Sequence, residues 1–328
     1  MENPQQAWEA GGDRLTATTA AMLSAMDSVV DGKHRAVRTS VLVLLAGGHL
    51  LVEDVPGVGK TLLAKALART VGGTVNRIQF TPDLLPSDVT GVSVFNQDRH
   101  TFEFRAGAVF ANVVIGDEIN RASAKTQSAL LECMEEHQVT VDGTTHRLDE
   151  PFMVVATQNP VESEGTYPLP EAQRDRFMAR ITMGYPDEDA ELQMLRTHHG
   201  PLPSAAPVNR LAPVTTTHEV LQMIGAVSRV HVSEPVARYV VALGRASRQH
   251  ADVLVGASPR SLLQLTRAAK AEAALNGRSY VTPQDVTDVV GVVFPHRLML
   301  RRRSTHDAAE AEAVTARILH SVAVPAGV

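Results

Sequence analysis

The chain has 328 residues, of which 44% are hydrophobic, and a formal net charge of −5 at pH 7. Its length suits two domains, and the acidic excess argues against a dedicated nucleic-acid-binding surface, because such surfaces need basic residues. The single cysteine, Cys133, excludes an internal disulfide and fits a reducing compartment. The polar N-terminus does not have the pattern of a signal peptide, and no stretch reaches the roughly 18 apolar residues of a membrane span. We therefore expect a cytoplasmic protein without a membrane span.

From residue 50 to residue 183, short apolar runs alternate with longer helical patterns. This alternation is typical of parallel strands joined by crossover helices, so it predicts an α/β fold with a five-stranded parallel sheet. The expected strands lie at residues 50–53, 75–80, 111–116, 152–157 and 179–183, with helices at 61–70 and 124–136 among the connections.

The pattern changes after residue 186, where a proline-rich stretch is followed by helical periodicity alone. Ser258-Pro259 and Thr282-Pro283 have the residue types that begin helices. We predict an N-terminal extension with a helix at 1–27, an α/β nucleotide-binding core at 28–186, a linker at 187–214 and a smaller all-α domain at 215–328.

A glycine-rich loop follows the first predicted strand and precedes a helix, in the run LVEDVPGVGKT at 51–61. This context is that of a Walker A loop, in which backbone N–H groups surround phosphate, Lys60 reaches the β- and γ-phosphates, and Thr61 holds Mg²⁺. Asp54 replaces the first glycine of the pattern, and an ordinary strand-to-helix turn is the alternative. The expected nucleotide-binding residues are Pro56, Gly57, Val58, Gly59, Lys60, Thr61 and Leu62.

Two acids, Asp117 and Glu118, follow the apolar run Val113-Val114-Ile115. Carboxylates at the end of a buried parallel strand lie at the edge of the sheet where ligands bind, as in a Walker B motif. We expect Asp117 to act on Mg²⁺ with Thr61 and Glu118 to be the base that polarises the attacking water. Taken alone, the two acids would also suit the start of the next helix.

Three further sequence motifs follow the Walker motifs: ATQNP at 156–160, EGTYPLPEAQ at 164–173 and DRF at 175–177. Together with both Walker motifs, they closely resemble the MoxR family of AAA+ ATPases. The resemblance implies an AAA+ P-loop NTPase core followed by an α-helical lid, and hydrolysis of ATP with Mg²⁺. It also implies a homo-oligomer, expected to be a hexameric ring, that acts as a chaperone-like motor. Its expected partner is a protein client, either a von Willebrand factor A domain protein or a metal-cofactor enzyme.

The resemblance also assigns roles to residues outside the Walker motifs. Asn159 resembles sensor 1, which orients the lytic water, although an asparagine before proline also suits a simple turn. Arg176 resembles the arginine finger that projects into a neighbour's site, and Arg174 is close enough to compete for this role. Arg260, in the run GASPR, resembles the sensor 2 residue that reaches the γ-phosphate from the lid. A surface location is the alternative for all three arginines.

Two insertions extend the likeness, at residues 80–106 and 138–148. The first resembles the helix-2 insert of this group, and the second alternates apolar and polar residues around Asp142-Gly143, as a β-hairpin does. In related rings such hairpins reach a substrate or partner, although both insertions would also serve as stabilising additions.

Two other functions remain open from the sequence. A DNA-directed motor is disfavoured by the acidic balance and the 4% aromatic content. A nucleotide switch that binds ATP and scarcely hydrolyses it is disfavoured by Glu118.

Overall fold

The computed structural model describes residues 4–55, 57–159, 169–185, 207–301 and 307–325, together with 167, 188 and 192. Much of the predicted linker at 187–214 lies outside these ranges. Within them, no helix combines the length and apolar character that crossing a bilayer requires.

The first part of the chain contains six helices and nine strands among the described residues. The helices are α1 (Pro4–Asp27), α2 (His34–Leu45), α3 (Lys60–Thr70), α4 (Pro86–Thr90), α5 (Ala124–Glu136) and α6 (Glu171–Arg174). The strands are β1 (Leu50–Glu53), β2 (Val75–Gln79), β3 (Gly91–Asn96), β4 (Thr101–Ala106), β5 (Val113–Asp117), β6 (Gln138–Val141), β7 (Thr144–Arg147), β8 (Met153–Gln158) and β9 (Ala179–Ile181).

Five strands form one parallel sheet in the order β2-β5-β8-β1-β9, which confirms the predicted five-stranded core. β5 is buried along its whole length because helices cover both faces of the sheet. Val113 and Ile115 pack on the face of α2 and α3, whereas Val114 packs on the opposite face with α5. The strand limits differ from the predicted ones by one or two residues, and Asp117 is the last residue of β5.

The later part of the chain is mainly helical. Its elements are α7 (Thr217–Ser228), α8 (Glu234–Gln249), β10 (Val253–Val255), α9 (Pro259–Leu275), α10 (Pro283–Val293), β11 (Met299–Leu300) and α11 (Asp307–Ser321). Ser258 and Thr282 cap α9 and α10, as their residue types predicted. The all-helical prediction missed one feature, because β10 and β11 pair as a short antiparallel ladder.

Helix α9 joins this helical domain to the core. It packs against α2, and the Arg38 guanidinium donates to both Glu272 carboxylate oxygens at 2.7 and 2.8 Å. Arg267 donates to the carbonyl oxygens of Ala46 and Gly47, which follow the end of α2. The helical domain therefore contacts the amino-terminal edge of the sheet, where β1 begins.

Both insertions contain antiparallel hairpins, β3–β4 and β6–β7. Asp142 and Gly143 form a two-residue turn with φ angles of 47° and 78°, the conformation that such tight turns need. The rings of Phe104 and His146 stack with centroids 3.8 Å apart and 12° between their planes. This contact joins the two hairpins.

Candidate nucleotide site

The loop between β1 and α3 contains the backbone geometry that phosphate binding requires. Gly57 and Gly59 have φ angles of 87° and 93°, a region that side-chain-bearing residues rarely adopt. Gly59 has no side chain with which to cap α3, so the first N–H groups of the helix point to a place where an anion is favourable. Val58 is buried and Leu62 packs against the core, so their side chains anchor the loop. Pro56 lies outside the described residues.

Asp54, the departure from the Walker A pattern, has a specific local role. Its carboxylate accepts hydrogen bonds from Met183 N and Gly184 N, both at 2.6 Å, and from Val55 N at 2.8 Å. Its carbonyl oxygen accepts from Lys60 Nζ at 2.5 Å. Asp54 therefore attaches the start of the loop to the segment that follows β9.

Thr61 and Asp117 converge at the carboxyl edge of the sheet. The Thr61 hydroxyl lies 3.4 Å from Asp117 Oδ2, and the Thr157 hydroxyl lies 3.3 Å from Asp117 Oδ1. Asp117 is buried, so its charge is little exposed to water. A hydroxyl beside a carboxylate is a donor set that suits Mg²⁺, which takes oxygen ligands and is commonly held by one or two carboxylates and substrate phosphates.

Glu118 adopts a left-handed conformation, with a φ angle of 58°. For a residue with a side chain this costs on the order of 1–3 kcal/mol, and such strain is concentrated at functional sites. The Glu118 N–H donates to the Thr157 hydroxyl at 3.0 Å. The turn directs the Glu118 side chain toward Gln79 and Arg121, whose nitrogens lie 3.2 and 3.3 Å from Oε2.

Strand β2 provides two contacts to the acids that sequence reasoning missed. Arg77 Nε donates to Asp117 Oδ2 at 2.6 Å, and Gln79 Nε2 donates to Glu118. Residues two apart in a strand share a face, so Arg77 and Gln79 form one polar row beside β5. This row was visible in the sequence, but its meaning required the knowledge that β2 is the neighbour of β5.

Arg176 and Arg260 lie together, away from this chain's own phosphate loop. Arg176 Nε is 3.2 Å from Glu135 Oε2, and Arg260 Nη1 donates to Glu135 Oε1 at 2.8 Å. Glu135 is near the end of α5, whereas the Walker B acids precede the start of that helix. A helix of this length spans about 20 Å. Arg260 therefore lies at the other end of α5 from the Walker B acids of its own chain.

The two arginines line a cavity of about 270 Å³ with His49, Glu135 and Arg267. His49 precedes β1, so this cavity is at the amino edge of the sheet. Burial, and secondly the charge of Arg260, lower the pKa of Arg267. Positive charge is therefore crowded at this surface.

Two family models match the chain. The model of the ATPase family associated with various cellular activities (AAA) matches residues 49–179, and an AAA lid domain model matches 245–318. The protein YeaC of Bacillus subtilis is 47% identical over 300 residues, which cover 92% of both chains. Chaperone MoxR1 of Mycobacterium tuberculosis is 42% identical over 306 residues, covering 90% of this chain and 80% of that protein. Protein MoxR of Paracoccus denitrificans is 31% identical, with coverage of 84% and 87%.

The chain belongs to the MoxR family of AAA+ ATPases. A crystal structure from Cytophaga hutchinsonii supports the same fold, with a TM-score of 0.87, 38% identity, and coverage of 98% and 99%. The predicted family, AAA+ fold and ATPase activity are thereby confirmed.

Asn159 and Arg174 are the remaining predicted site residues of this MoxR-family ATPase. Asn159 is buried directly after β8, the strand between β1 and β5, and so lies near both Walker motifs. Arg176 lines the cavity at the amino edge of the sheet, and Arg174 is not among the residues that line it. Burial, and then the charges of Arg297, Arg180 and Arg174, lower the pKa of His296 well below its usual value. Of these two arginines, only Arg176 lies beside Arg260 in that cavity.

The carboxyl edge of the sheet in this MoxR-family protein fits ATP and Mg²⁺. The two glycines and the start of α3 would surround phosphate, Lys60 would neutralise it, and Thr61 with Asp117 would hold the metal ion. When bound, Mg²⁺ offsets the negative charge of the phosphates. Arg77 Nε and the Thr61 hydroxyl both lie beside Asp117 Oδ2, so Arg77 places a positive charge next to the carboxylate that would hold the metal ion.

Proposed function

We propose that the protein assembles as a hexameric ring that holds each nucleotide between two subunits and uses ATP hydrolysis to remodel a protein client in the cytoplasm. The observation that carries the proposal is the placement of Arg176 and Arg260 beside Glu135, at the other end of α5 from the Walker B acids. Because both arginines are remote from their own Walker B acids, this placement supports contact with a triphosphate that is held by a neighbouring subunit.

Each half of such a composite site supplies what the other half lacks. On one subunit, Lys60 and Thr61 hold the phosphates, Asn159 orients water, and Glu118 accepts its proton. On the neighbour, Arg176 and Arg260 stabilise the charge that spreads over the transferring phosphoryl group. Such an arginine is worth about 10³- to 10⁵-fold in rate. The isolated subunit is then a poor ATPase, and assembly turns on hydrolysis.

A complementation experiment tests this arrangement. Arg176→Ala subunits keep a complete Walker site but lack the finger, whereas Lys60→Ala subunits keep the finger but cannot hold phosphate. Each variant alone should show almost no turnover. Mixed in equal amounts, they should recover a substantial part of the ATPase activity, because a Lys60→Ala subunit supplies its arginines to an Arg176→Ala neighbour.

Native mass measurements on the same mixtures provide the control for assembly. Both variants should form rings with the subunit number of the unmodified protein. Mixed rings that assemble without recovering any turnover would overturn the proposal, because the arginines would then act within their own subunit or not at all.

The hairpin β3–β4 supports a protein client. Phe95 and Phe102 pack edge to face with centroids 5.3 Å apart, and they remain 47% and 73% exposed. Exposed aromatic pairs are costly in water and are enriched where proteins bind one another. We assign this pair to client contact. The family resemblance points to a von Willebrand factor A domain protein or a metal-cofactor enzyme as the client.

A trapped ring tests the assignment. Glu118→Gln subunits with ATP should retain their client, which is identified by mass spectrometry after purification. Adding Phe95→Ser and Phe102→Ser to the trap should remove that protein, whereas Tyr280→Ser, at an exposed aromatic of the helical domain, should not. Equal recovery of the same protein by all three traps would contradict the role of the aromatic pair.

A further inference from the structure

The Asp175 carboxylate lies next to Arg176 in the chain but is held mainly by the helical domain. Its Oδ2 accepts from the Ser258 hydroxyl at 3.1 Å. Its Oδ1 accepts from the Ser261 hydroxyl at 3.2 Å and from Arg297 Nε at 2.7 Å. Three donors from three positions of the helical domain thus converge on one carboxylate of the core.

The backbone around Asp175 is held by the same domain. Gln264 Nε2 and Arg297 Nη2 both donate to the Asp175 carbonyl oxygen at 3.2 Å. The Arg297 guanidinium also donates to the Phe177 carbonyl oxygen at 2.5 Å and to the Met178 carbonyl oxygen at 3.0 Å. The segment that carries Arg176 therefore has its carbonyl oxygens occupied on both sides of that residue.

Arg297 is a buried cation whose position depends on this contact. It is 4% exposed, and burial lowers its pKa to about 10, although the Asp175 charge acts in the opposite direction. A buried guanidinium is costly unless it is paired and hydrogen-bonded. Asp175 and the carbonyl oxygens of the finger segment supply that pairing, so the cation and the segment are fixed together.

The serines that hold Asp175 also set the position of Arg260. Ser258 is the N-cap of α9, and its hydroxyl accepts from the Ser261 N–H at 3.1 Å. Arg260 lies between these two residues in the first turn of the helix. The hydrogen bonds that begin α9 and the hydrogen bonds that hold Asp175 therefore share the same two hydroxyl groups.

We infer that Asp175 is a positioning residue that holds Arg176 of the core and Arg260 of the helical domain in fixed register, so that both act on a neighbour's nucleotide as one unit. This inference rests on the proposed function. Two adjacent guanidinium groups repel each other, and Glu135 offsets that repulsion in the subunit described here. Asp175 acts indirectly, because it holds in place the two backbone segments from which the arginine side chains project.

The test uses the mixed rings described above, with the change placed in the donor. Lys60→Ala donors with and without Asp175→Asn are combined with Arg176→Ala acceptors. The asparagine keeps the shape of the side chain but removes its charge. We expect kcat of the acceptor site to fall by about 10- to 100-fold, with KM for ATP nearly unchanged, because displacement of a catalytic group by about 1 Å costs this much.

Asp285→Asn in the donor is a matched control. Asp285 is also a buried carboxylate at a helix start in the same domain, where it pairs with Arg278 at 2.5 and 2.6 Å and with the Thr282 N–H at 2.7 Å. It does not touch the segments of Arg176 or Arg260 described here. Its loss should lower the unfolding temperature of the donor without lowering kcat of the acceptor site.

Ser261→Ala is the mildest variant and keeps the inference testable if Asp175→Asn does not fold. It removes one hydroxyl group from the Asp175 carboxylate, and kcat of the acceptor site should fall a fewfold. In donors that already carry Arg260→Ala, Asp175→Asn should lower kcat of the acceptor site by a smaller factor than in donors that keep Arg260. The reason is that part of the effect of Asp175 passes through that arginine.

The outcomes separate two failures. If unmodified Lys60→Ala donors give no recovery, the composite site itself is wrong. If they recover activity and Asp175→Asn donors recover it equally, the composite site stands and the positioning role is wrong. Equal loss of kcat with Asp175→Asn and Asp285→Asn would also overturn the inference, since it would reduce Asp175 to a general stabiliser of the domain.

Discussion

The two edges of the parallel sheet carry different kinds of chemistry. The carboxyl edge has positive-φ glycines, a helix start, and a buried carboxylate beside a hydroxyl, which suit phosphate and a metal ion. The amino edge has Arg176, Arg260 and Arg267 around an open cavity, with Glu135 between two of them. In the proposed function, the carboxyl edge of one subunit holds a nucleotide and the amino edge of its neighbour acts on that nucleotide.

Under the proposed function, this difference is the reason that one subunit would not complete the site. Helix α5 begins beside the Walker B acids and ends at Glu135, so it separates the two edges by its own length. In the proposed ring, the amino-edge surface of one subunit would lie against the carboxyl-edge surface of the next. Substitutions at the two edges should therefore differ in how they change ATP turnover and ATP affinity.

The largest effect should come from the carboxyl edge. Glu118→Gln removes the base but keeps the loop, so turnover should fall by about 10²- to 10⁴-fold while ATP binding is retained. Steady-state ATPase assays and nucleotide titrations measure the two quantities. Glu132→Gln, at an exposed position of α5, is the control and should leave both unchanged. Residual turnover near that of the unmodified ring would remove Glu118 from the mechanism.

The next effect belongs to the amino edge. Arg260→Ala should lower turnover by about 10- to 100-fold, as removal of one charge-stabilising donor does. The affinity of the dissociated subunit for ATP should not change, since Arg260 is remote from its own phosphate loop. Arg245→Ala, at an exposed arginine of α8, is the matched control. A loss of ATP affinity in dissociated Arg260→Ala subunits would show that the two edges are not separate.

Asn159→Ala should have a smaller effect on the chemical step. In the proposed mechanism the amide orients water rather than holding phosphate, so turnover should fall by about tenfold and ATP affinity should stay within about twofold. Equilibrium binding and single-turnover hydrolysis on the same protein separate the two quantities. Parallel losses of binding and hydrolysis would assign Asn159 to the structure of the loop.

The smallest effect concerns the acid stability of the amino edge. His49 donates to the Met134 carbonyl oxygen and accepts from the Val154 N–H, both at 3.0 Å, and burial lowers its pKa from 6.5 to about 3. As the pH falls below about 6.5, the unfolded chain takes up a proton that the folded chain refuses. The free energy of unfolding should then fall by about 1.4 kcal/mol per pH unit from this residue, and its contribution should be constant above that pH.

Urea titrations between pH 7 and pH 5 measure this slope. His49→Gln should reduce it, because the amide does not titrate. An unchanged slope in His49→Gln would show that other titratable groups cause the pH dependence of the free energy of unfolding.

The convergence of residues at the carboxyl edge could be predicted from the sequence because it depends on local patterns. Lys60 and Thr61 follow a strand within one loop, and Asp117 ends the strand beside them, so periodicity and order were sufficient. The contacts of Arg77 and Gln79 were missed because they depend on which strands are neighbours. The contact of Arg260 with Glu135 was not predictable for a related reason, since α9 packs on α2 near the amino edge and no local pattern specifies that packing.

Asp54 places a negative charge at the entrance to a loop that receives a polyanion. The protein tolerates this charge because three amide dipoles already surround it, from Val55, Met183 and Gly184. The acid and the turn after β9 therefore form a mutually dependent pair. A relative that changes one of them must find new partners for the other, so positions 54 and 183–184 should vary together rather than independently.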